Sequence, residues 1–254
     1  MPRAARQKSE SKIYHVLVRG INRQTIFEDE EDASKYLSTL KRYKGDDAYK
    51  LYAYCLMGNH IHLLLKEEKE DLGIIMRRIG AAYVYWYNNK YNRCGHLFQD
   101  RYKSDAVETD QYFLAVLRYI HQNPVKAHIA EDPASYRWSS FTEYLGRASV
   151  RLVDVDFALN MFHKDTEKAL HSFKEFHRGS SEGAFLETEE NKRITDESAI
   201  DIIKKICNVQ HCNEVQIAEK EKRDQYLKMM KDKGLSTRQI ARLTGIKRNI
   251  VLKA

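Results

Sequence analysis

Residues 56–65 read LMGNHIHLLL and place a short turn between two apolar runs. Gly58 and Asn59 are the turn dipeptide, although their order is the reverse of the one that tight hairpins prefer. The flanking residues 51–57 and 60–65 have the length and the Leu, Tyr and Ile content of buried strands. We therefore predict a β-hairpin in this stretch.

Two histidines begin the second strand of this hairpin. Because alternate residues of a strand share one face, His60 and His62 present their imidazoles side by side, while Ile61 and Leu63 point to the opposite face. Two imidazoles in this arrangement suit two neighbouring ligands of one metal ion. Strand histidines that are exposed, or that bond to nearby carbonyls, are commoner, so the pair alone leaves both interpretations open.

The periodicity on either side of the hairpin predicts an α+β fold. In chain order we expect strand 14–19, helix 31–43, the hairpin, helix 71–87, strand 101–107 and helix 111–123, which Asp110 caps and Pro124 ends. This order predicts an antiparallel sheet of four to five strands with helices on one face, of ferredoxin-like or palm-like type. The rest of the chain reads as an all-α region.

The last helix of this fold carries two further candidate groups. Tyr119 and Asn123 are four residues apart and share one helical face. The Asn123 carbonyl oxygen is a hard ligand that suits Mg²⁺ or Mn²⁺, and the Tyr119 phenol is a potential nucleophile. The alternative is that Tyr119 is a core aromatic and Asn123 a helix cap, and the spacing alone does not decide.

Charge is unevenly distributed along the chain. The formal net charge is +7; residues 214–254 hold 11 basic and 5 acidic side chains, whereas residues 150–213 hold 9 basic and 12 acidic ones. Positive ends around an acidic middle are typical of two polyanion-binding modules, although lysine-rich solvated helices give the same totals. We predict three regions: a first domain at 1–149, a helical linker at 150–213 and a DNA-binding domain at 214–254.

The C-terminal region contains the pattern of a helix-turn-helix at residues 237–251. Ala241 is the small residue expected where two helices cross, and Gly245 supplies a left-handed turn. A generic helical hairpin is the alternative. If the motif is present, its candidate DNA contacts are Arg238, Lys247, Arg248 and Asn249.

Composition disfavours membrane and secreted classes of protein. No apolar run is long enough to span a bilayer and the N-terminus has no apolar signal core, so we expect a cytoplasmic protein. The four cysteines lack the spacing of a disulfide framework and are expected to be free thiols. The basic N-terminal arm is a candidate DNA-wrapping tail through Arg3 and Arg6.

Segments along the first 146 residues resemble the IS200-like tyrosine transposases of the HUH endonuclease superfamily, and most of all the REP-associated branch. The matching segments, in order, are PRAAR, YHVLVRGINRQTIF, YCLMGNHIHLLL, GHLFQDRYKSD, LRYIHQNPVKA and YRWSSFTEYLG. The resemblance implies that His60 and His62 are the histidines of the HUH motif. It implies that they bind Mg²⁺ or Mn²⁺ together with Asn123, and that Tyr119 is the nucleophile.

The activity implied by this resemblance is cleavage and rejoining of single-stranded DNA, at or near hairpins, through a 5′-phosphotyrosine intermediate. Arg19, Arg101 and Lys103 lie in matching segments and are candidate phosphate contacts or, equally, ordinary surface cations. Related enzymes are monomers or homodimers, and the sequence leaves this open. The C-terminal helix-turn-helix is an addition to the typical REP-associated protein, and we expect it to bind duplex DNA within the nucleoid.

Two other functions fit parts of the sequence. A catalytically inactive regulator would bind DNA through the helix-turn-helix, although the presence of all four candidate active-site residues argues against it. A metal-dependent hydrolytic nuclease would use the same histidines to activate water and would leave no covalent adduct.

Overall fold

The computed structural model of the chain divides into two compact units, the first ending at Leu186 and the second starting at Glu187. The residues that the structure describes are 8–147, 151–179, 185–186 and 196–253. Within these ranges, no helix is both long and apolar enough to cross a membrane.

Four antiparallel strands form the sheet of the first unit, as the sequence predicts. They lie in the order β2-β3-β1-β4, with bounds β1 Ile13–Arg19, β2 Tyr49–Met57, β3 His60–Glu67 and β4 Lys103–Ala106. The hairpin predicted around Gly58 is confirmed, since Met57 pairs with His60 across a two-residue turn. Strands β1 to β3 are buried along almost their whole length, so both faces of the sheet are covered.

Two long helices cover one face of this sheet. They are α1 (Glu30–Lys44) and α2 (Leu72–Lys90), and they pack against each other. Tyr49 pairs with Glu67 and therefore lies on the face away from the two histidines. Its hydroxyl donates to the Leu40 carbonyl of α1 over 2.7 Å, which places α1 and α2 on that face.

A third helix, α3 (Asp110–Lys126), covers the opposite face, on which His62 lies. The prediction that the helices lie on one face is therefore corrected, because a sheet buried on both sides needs a second helical layer. The cap is Thr109 rather than Asp110. The helix also continues past Pro124, since a proline in the last turns of a helix forfeits only one backbone hydrogen bond there.

Three further helices complete the first unit: α4 Phe141–Tyr144, α5 Val155–Phe162 and α6 Thr166–Arg178. Apolar side chains of α5 and α6, such as Ala158 and Phe173, belong to the same buried core as the sheet. The segment 150–213, which we predict from sequence as a linker, is thus divided between the two units. The division follows from burial, because these helices place apolar side chains against the first core instead of solvent.

The second unit is a small helical bundle with its own apolar core, which includes Ile203, Leu227 and Ile240. Its helices are α7 Asp196–Cys207, α8 Lys220–Asp232, α9 Thr237–Thr244 and α10 Arg248–Lys253. Gly245 adopts a left-handed φ of 75° between α9 and α10, as the helix-turn-helix pattern predicts. Residues 212–217 form a 3-10 helix before α8, which begins at Lys220.

Candidate active site

Strand β3 places both histidines of the hairpin on the face that α3 covers. The cross-strand partners of His60 and His62 are Arg19 and Leu17 of β1, which share that face. His62 is 1% exposed, and burial lowers its pKa well below the usual value. Burial also lowers the pKa of His60 to about 4, against a hydrogen bond to Asn123 that acts in the opposite direction. Both imidazoles are therefore neutral at pH 7, the form that binds a metal ion.

A third imidazole lies beside His62. His15 of β1 is fully buried, and its Nε2 is 3.0 Å from Nδ1 of His62. The Nε2 atom of His62 is buried and has no hydrogen-bond partner in the described part of the chain. In the tautomer in which Nδ1 of His62 donates to His15, this Nε2 carries a free lone pair. A buried acceptor without a partner is unfavourable, and a metal ion would satisfy it.

Helix α3 brings Tyr119 and Asn123 to these histidines. The Tyr119 ring centroid lies 5.4 Å from that of His62 and 5.7 Å from that of His15. Asn123, one turn later, forms a side-chain hydrogen bond with His60. The four residues that the sequence predicts as nucleophile and ligands therefore lie together within the first unit.

The Tyr119 side chain is 5% exposed and is enclosed by groups from other parts of the unit. Its ring stacks on Phe185 with centroids 4.5 Å apart, and its hydroxyl donates to the Leu186 carbonyl over 3.5 Å. The Lys126 ammonium lies 5.0 Å from the ring centroid. Sequence reasoning missed Phe185 and Leu186, because they follow far along the chain and carry no motif.

A metal ion at this site would meet a mixed set of donors. Among the described residues, no group of three or more His, Cys, Asp or Glu side chains is arranged to hold one. The candidate set is instead the imidazoles of His60 and His62 with the amide oxygen of Asn123. The orphaned Nε2 of His62 fits this set, and an amide oxygen is a donor that suits harder cations such as Mg²⁺ or Mn²⁺.

The cations predicted as phosphate contacts differ in their placement. Arg19 lies opposite His60 in the β1–β3 ladder and therefore on the histidine face. Its Nε atom is buried without a hydrogen-bond partner among the residues described. Lys103 begins β4 and pairs with Leu17, so it also lies on the histidine face. Arg101 is exposed in the bend before β4. The fold thus brings two of the three cations to the face of the candidate site.

One carboxylate that lies on this face was not predicted from the sequence. Asp105 of β4 pairs with His15 and so shares the histidine face. Burial raises its pKa, while Lys103 acts in the opposite direction. Strand β4 is short and mostly polar, so its residues gave no apolar pattern from which their face could be assigned.

The DNA-contact candidates of the second unit are all exposed on its surface. Arg238 lies in the first turn of α9, Lys247 directly precedes α10, and Arg248 and Asn249 begin α10. The arm residues Arg3 and Arg6 lie outside the described part of the chain, so their DNA contacts stay predictions.

Comparison with solved structures finds transposases of low sequence identity. The structure of a REP-associated tyrosine transposase bound to a REP hairpin is 15% identical with a TM-score of 0.48, covering 74% of this chain and 100% of that one. A crystal structure of a candidate transposase from Deinococcus radiodurans R1 is 17% identical with a TM-score of 0.34, covering 51% and 99%. Comparison with curated proteins found no match.

A family model matches part of the first unit. The model described as "Transposase IS200 like" matches residues 8–123, a range that includes both histidines of the hairpin, Tyr119 and Asn123. The resemblance seen in the sequence motifs is thereby confirmed. Residues 8–123 of the chain are therefore similar to the IS200-like transposase family.

Proposed function

We propose that the first unit cleaves and rejoins single-stranded DNA, at or near hairpins, through a covalent 5′-phosphotyrosine at Tyr119. The match of residues 8–123 to the IS200-like transposase model supports a DNA-cleaving enzyme of the transposase class. The finer proposal is supported by one observation, the 5.4 Å distance between the rings of Tyr119 and His62. A nucleophile and a metal-ligand pair this close can act on the same phosphate.

Three side chains would hold a divalent cation, Mg²⁺ or Mn²⁺: His60, His62 and Asn123. When bound, such a cation polarises a non-bridging oxygen of the scissile phosphate and offsets its charge. His15 would engage Nδ1 of His62 and leave Nε2 as the ligand atom, so His15 is a positioning residue.

Tyr119 supplies the attacking oxygen. This oxygen forms a bond to phosphorus as the bond from phosphorus to the 3′-oxygen breaks, and the proton of the phenol balances the charge of the departing 3′-oxygen. The products are a 5′-phosphotyrosine and a free 3′-hydroxyl. Because one phosphodiester replaces another, a 3′-hydroxyl can reverse the step without ATP.

The proton of the phenol is the main obstacle to this attack. A phenol has an ordinary pKa of about 10, so it is mostly protonated at neutral pH. The Lys126 ammonium lies 5.0 Å from the Tyr119 ring centroid, where its charge would help to offset that of the substrate phosphate. The bound cation would add a second positive charge. Arg19 and Lys103 would bind phosphates that flank the reacting one.

A denaturing gel tests the proposal. The full chain is incubated with labelled single-stranded hairpin DNA and Mn²⁺ or Mg²⁺, then separated in SDS. We expect a protein–DNA band that resists SDS, that EDTA prevents and that Tyr119→Phe abolishes. Tyr112→Phe is the matched control, because Tyr112 lies on the same helix and also stacks near Phe185.

The other outcomes of this gel separate the alternatives. Cleavage without an adduct in the wild type would contradict the tyrosine chemistry and support a hydrolytic nuclease. Absence of cleavage with either metal, together with specific shifts of native duplex DNA, would support an inactive regulator. An adduct that survives in Tyr119→Phe would assign the nucleophile to another residue.

We further propose that the second unit binds duplex DNA through α9 and α10, and that the protein works at the nucleoid. The support is the left-handed turn at Gly245 and the exposed Arg248 and Asn249 at the start of α10. In a helix-turn-helix, the first residues of the second helix are the ones that reach base edges in the major groove. Exposed cations beside them suit phosphate contacts.

A further inference from the structure

A groove of about 280 Å³ lies between α1 and α2. Its walls combine cations with aromatic rings: Lys35, Arg42 and Tyr43 from α1, and Tyr85, Trp86 and Asn89 from α2. Lys35 and Arg42 are seven residues apart, so they lie two turns from each other on one side of α1, about 10 Å apart along its axis.

The groove is positively charged. None of the described residues that line it is acidic, and neither Lys35 nor Arg42 forms an ion pair within the described ranges. By contrast, the neighbouring Lys90 is neutralised by Asp29 and Asp32. The two groove cations are therefore available to an anion.

One aromatic residue of the groove, Tyr85, is highly exposed, while Tyr43 and Trp86 are partly exposed. Tyr85 is 73% exposed although it is a large aromatic in the middle of a helix. The Lys35 ammonium lies 5.7 Å from the Trp86 ring centroid, and the Arg42 guanidinium lies 5.6 Å from that of Tyr43. The groove thus combines one exposed and two partly exposed rings with cations, and this combination binds bases by stacking and phosphates by charge.

We propose that this groove is a second DNA-binding site, which holds a single-stranded segment through stacking on Tyr85 and Trp86 and through phosphate contacts from Lys35 and Arg42. Stacking needs unpaired bases, so a single strand fits better than a duplex. DNA is chosen as the occupant because of the transposase family, and the choice is independent of the Tyr119 chemistry.

The groove is separate from the candidate active site. Helices α1 and α2 cover the face of the sheet that points away from the histidines, whereas Tyr119 lies on the other face. The sheet therefore stands between the two, and the groove would hold a part of the strand that is not being cut.

Binding is tested in the Tyr119→Phe background, so that cleavage plays no part. Fluorescence anisotropy follows a labelled oligo(dT) 20-mer over a range of salt concentrations. We expect Tyr85→Ala to weaken binding about fivefold or more. Lys35→Ala combined with Arg42→Ala should reduce the slope of log affinity against log salt by about 1.4, which corresponds to two phosphate contacts.

The matched control is Lys41→Ala combined with Arg77→Ala, which removes the same charge from exposed positions on the same two helices outside the groove. Equal losses in the control and the groove variants would overturn the proposal. Equal losses for a labelled duplex and for oligo(dT) would overturn the stacking role. Unchanged oligo(dT) affinity in all variants would also overturn the proposal.

Tryptophan fluorescence tests whether the strand binds beside Trp86. The chain has two tryptophans, Trp86 and Trp138, so Trp138→Phe leaves Trp86 as the only indole. We expect oligo(dT) to quench its fluorescence with the same midpoint as the anisotropy titration, and Tyr85→Ala to shift both midpoints together. Saturable binding without any change in Trp86 fluorescence would contradict the proposal.

Discussion

The two units of the molecule present their candidate functional groups in opposite ways. In the first unit, His15, His62 and Tyr119 are all buried, and each contacts another member of the group. In the second unit, Arg248 and Asn249 are exposed at the start of a helix. The difference follows from the tasks proposed for them, because transfer of a phosphoryl group needs fixed, partly desolvated groups, whereas contact with duplex DNA needs accessible ones.

This contrast has a thermodynamic consequence. Burial holds the imidazoles of the first unit neutral and places an unpartnered nitrogen in its interior. The first unit therefore carries polar groups that metal ions and protons can affect strongly. The second unit has a largely apolar core and exposes most of its charged side chains, so it should respond to salt instead.

The largest expected effect comes from removing a candidate ligand of the first unit. His62→Ala should lower Mn²⁺ affinity more than about 100-fold, a larger loss than is typical for residues that only orient a ligand. Isothermal titration calorimetry with Mn²⁺ measures this without any need for DNA. His177→Gln is the control, since it alters another buried histidine of the same unit. Equal Mn²⁺ affinity in wild type and His62→Ala would remove the proposed metal site.

Acid should destabilise the first unit selectively. Burial lowers the pKa of His177 to about 4, although a hydrogen bond from its ring to the Phe173 carbonyl acts in the opposite direction. The folded state thus binds fewer protons than the unfolded state, whose histidines titrate near 6.5. The stability from this group is complete above pH 6.5 and is lost as the pH falls towards 4, by up to about 3 kcal/mol.

Hydrogen exchange monitored by mass spectrometry measures the acid destabilisation of each unit separately between pH 7 and pH 4.5, after correction for intrinsic exchange rates. We expect protection to fall in the first unit, and His177→Gln to reduce the fall. The described part of the second unit has one histidine, His211, which is exposed. Equal loss of protection in both units would contradict selective acid destabilisation of the first unit.

Removal of His15, a positioning residue, should lower Mn²⁺ affinity less than removal of a metal ligand does. His15→Ala removes the group that engages Nδ1 of His62, and we expect Mn²⁺ affinity to fall about 10- to 100-fold. His15→Gln, which keeps a hydrogen-bonding group near this position, should recover part of the affinity. If His15→Ala unfolds the unit, circular dichroism will show it, and the comparison is then made with His15→Gln alone. Wild-type Mn²⁺ affinity in both variants would contradict the positioning role.

The smallest effect is expected in the second unit. Arg248→Ala should weaken binding to a duplex selected from a random library about tenfold, with little change on non-specific duplex. Lys228→Ala, an exposed cation of α8, should instead weaken both duplexes slightly. Electrophoretic mobility shifts measure both. Identical behaviour of the two variants would mean that α10 does not read bases.

Local patterns made much of the first unit predictable. Alternation along a strand placed His60 and His62 on one face, and the helical repeat placed Tyr119 one turn before Asn123. Both relations involve residues that are close in sequence. The turn at Gly245 was predictable for the same reason, since a left-handed residue between two helices strongly favours glycine.

Relations between distant segments could not be read in this way. The contact of His15 with His62 depends on the register of β1 against β3. The residues of the two strands do not predict this register. The stacking of Phe185 on Tyr119 joins segments far apart in sequence. The second helical layer was missed because β1 to β3 are buried on both faces, which removes the alternation that reveals a single covered face.

Mass spectrometry of the covalent product is the most direct test of the central claim that Tyr119 and the two histidines form one metal-dependent centre. The full chain is incubated with hairpin DNA and Mn²⁺, digested with trypsin and nuclease, and searched for nucleotide-bearing peptides. We expect a nucleotide attached through a 5′-phosphate to Tyr119, formed with Mn²⁺ and absent in His62→Ala. A nucleotide on another tyrosine, or an adduct that forms equally in His62→Ala, would contradict it.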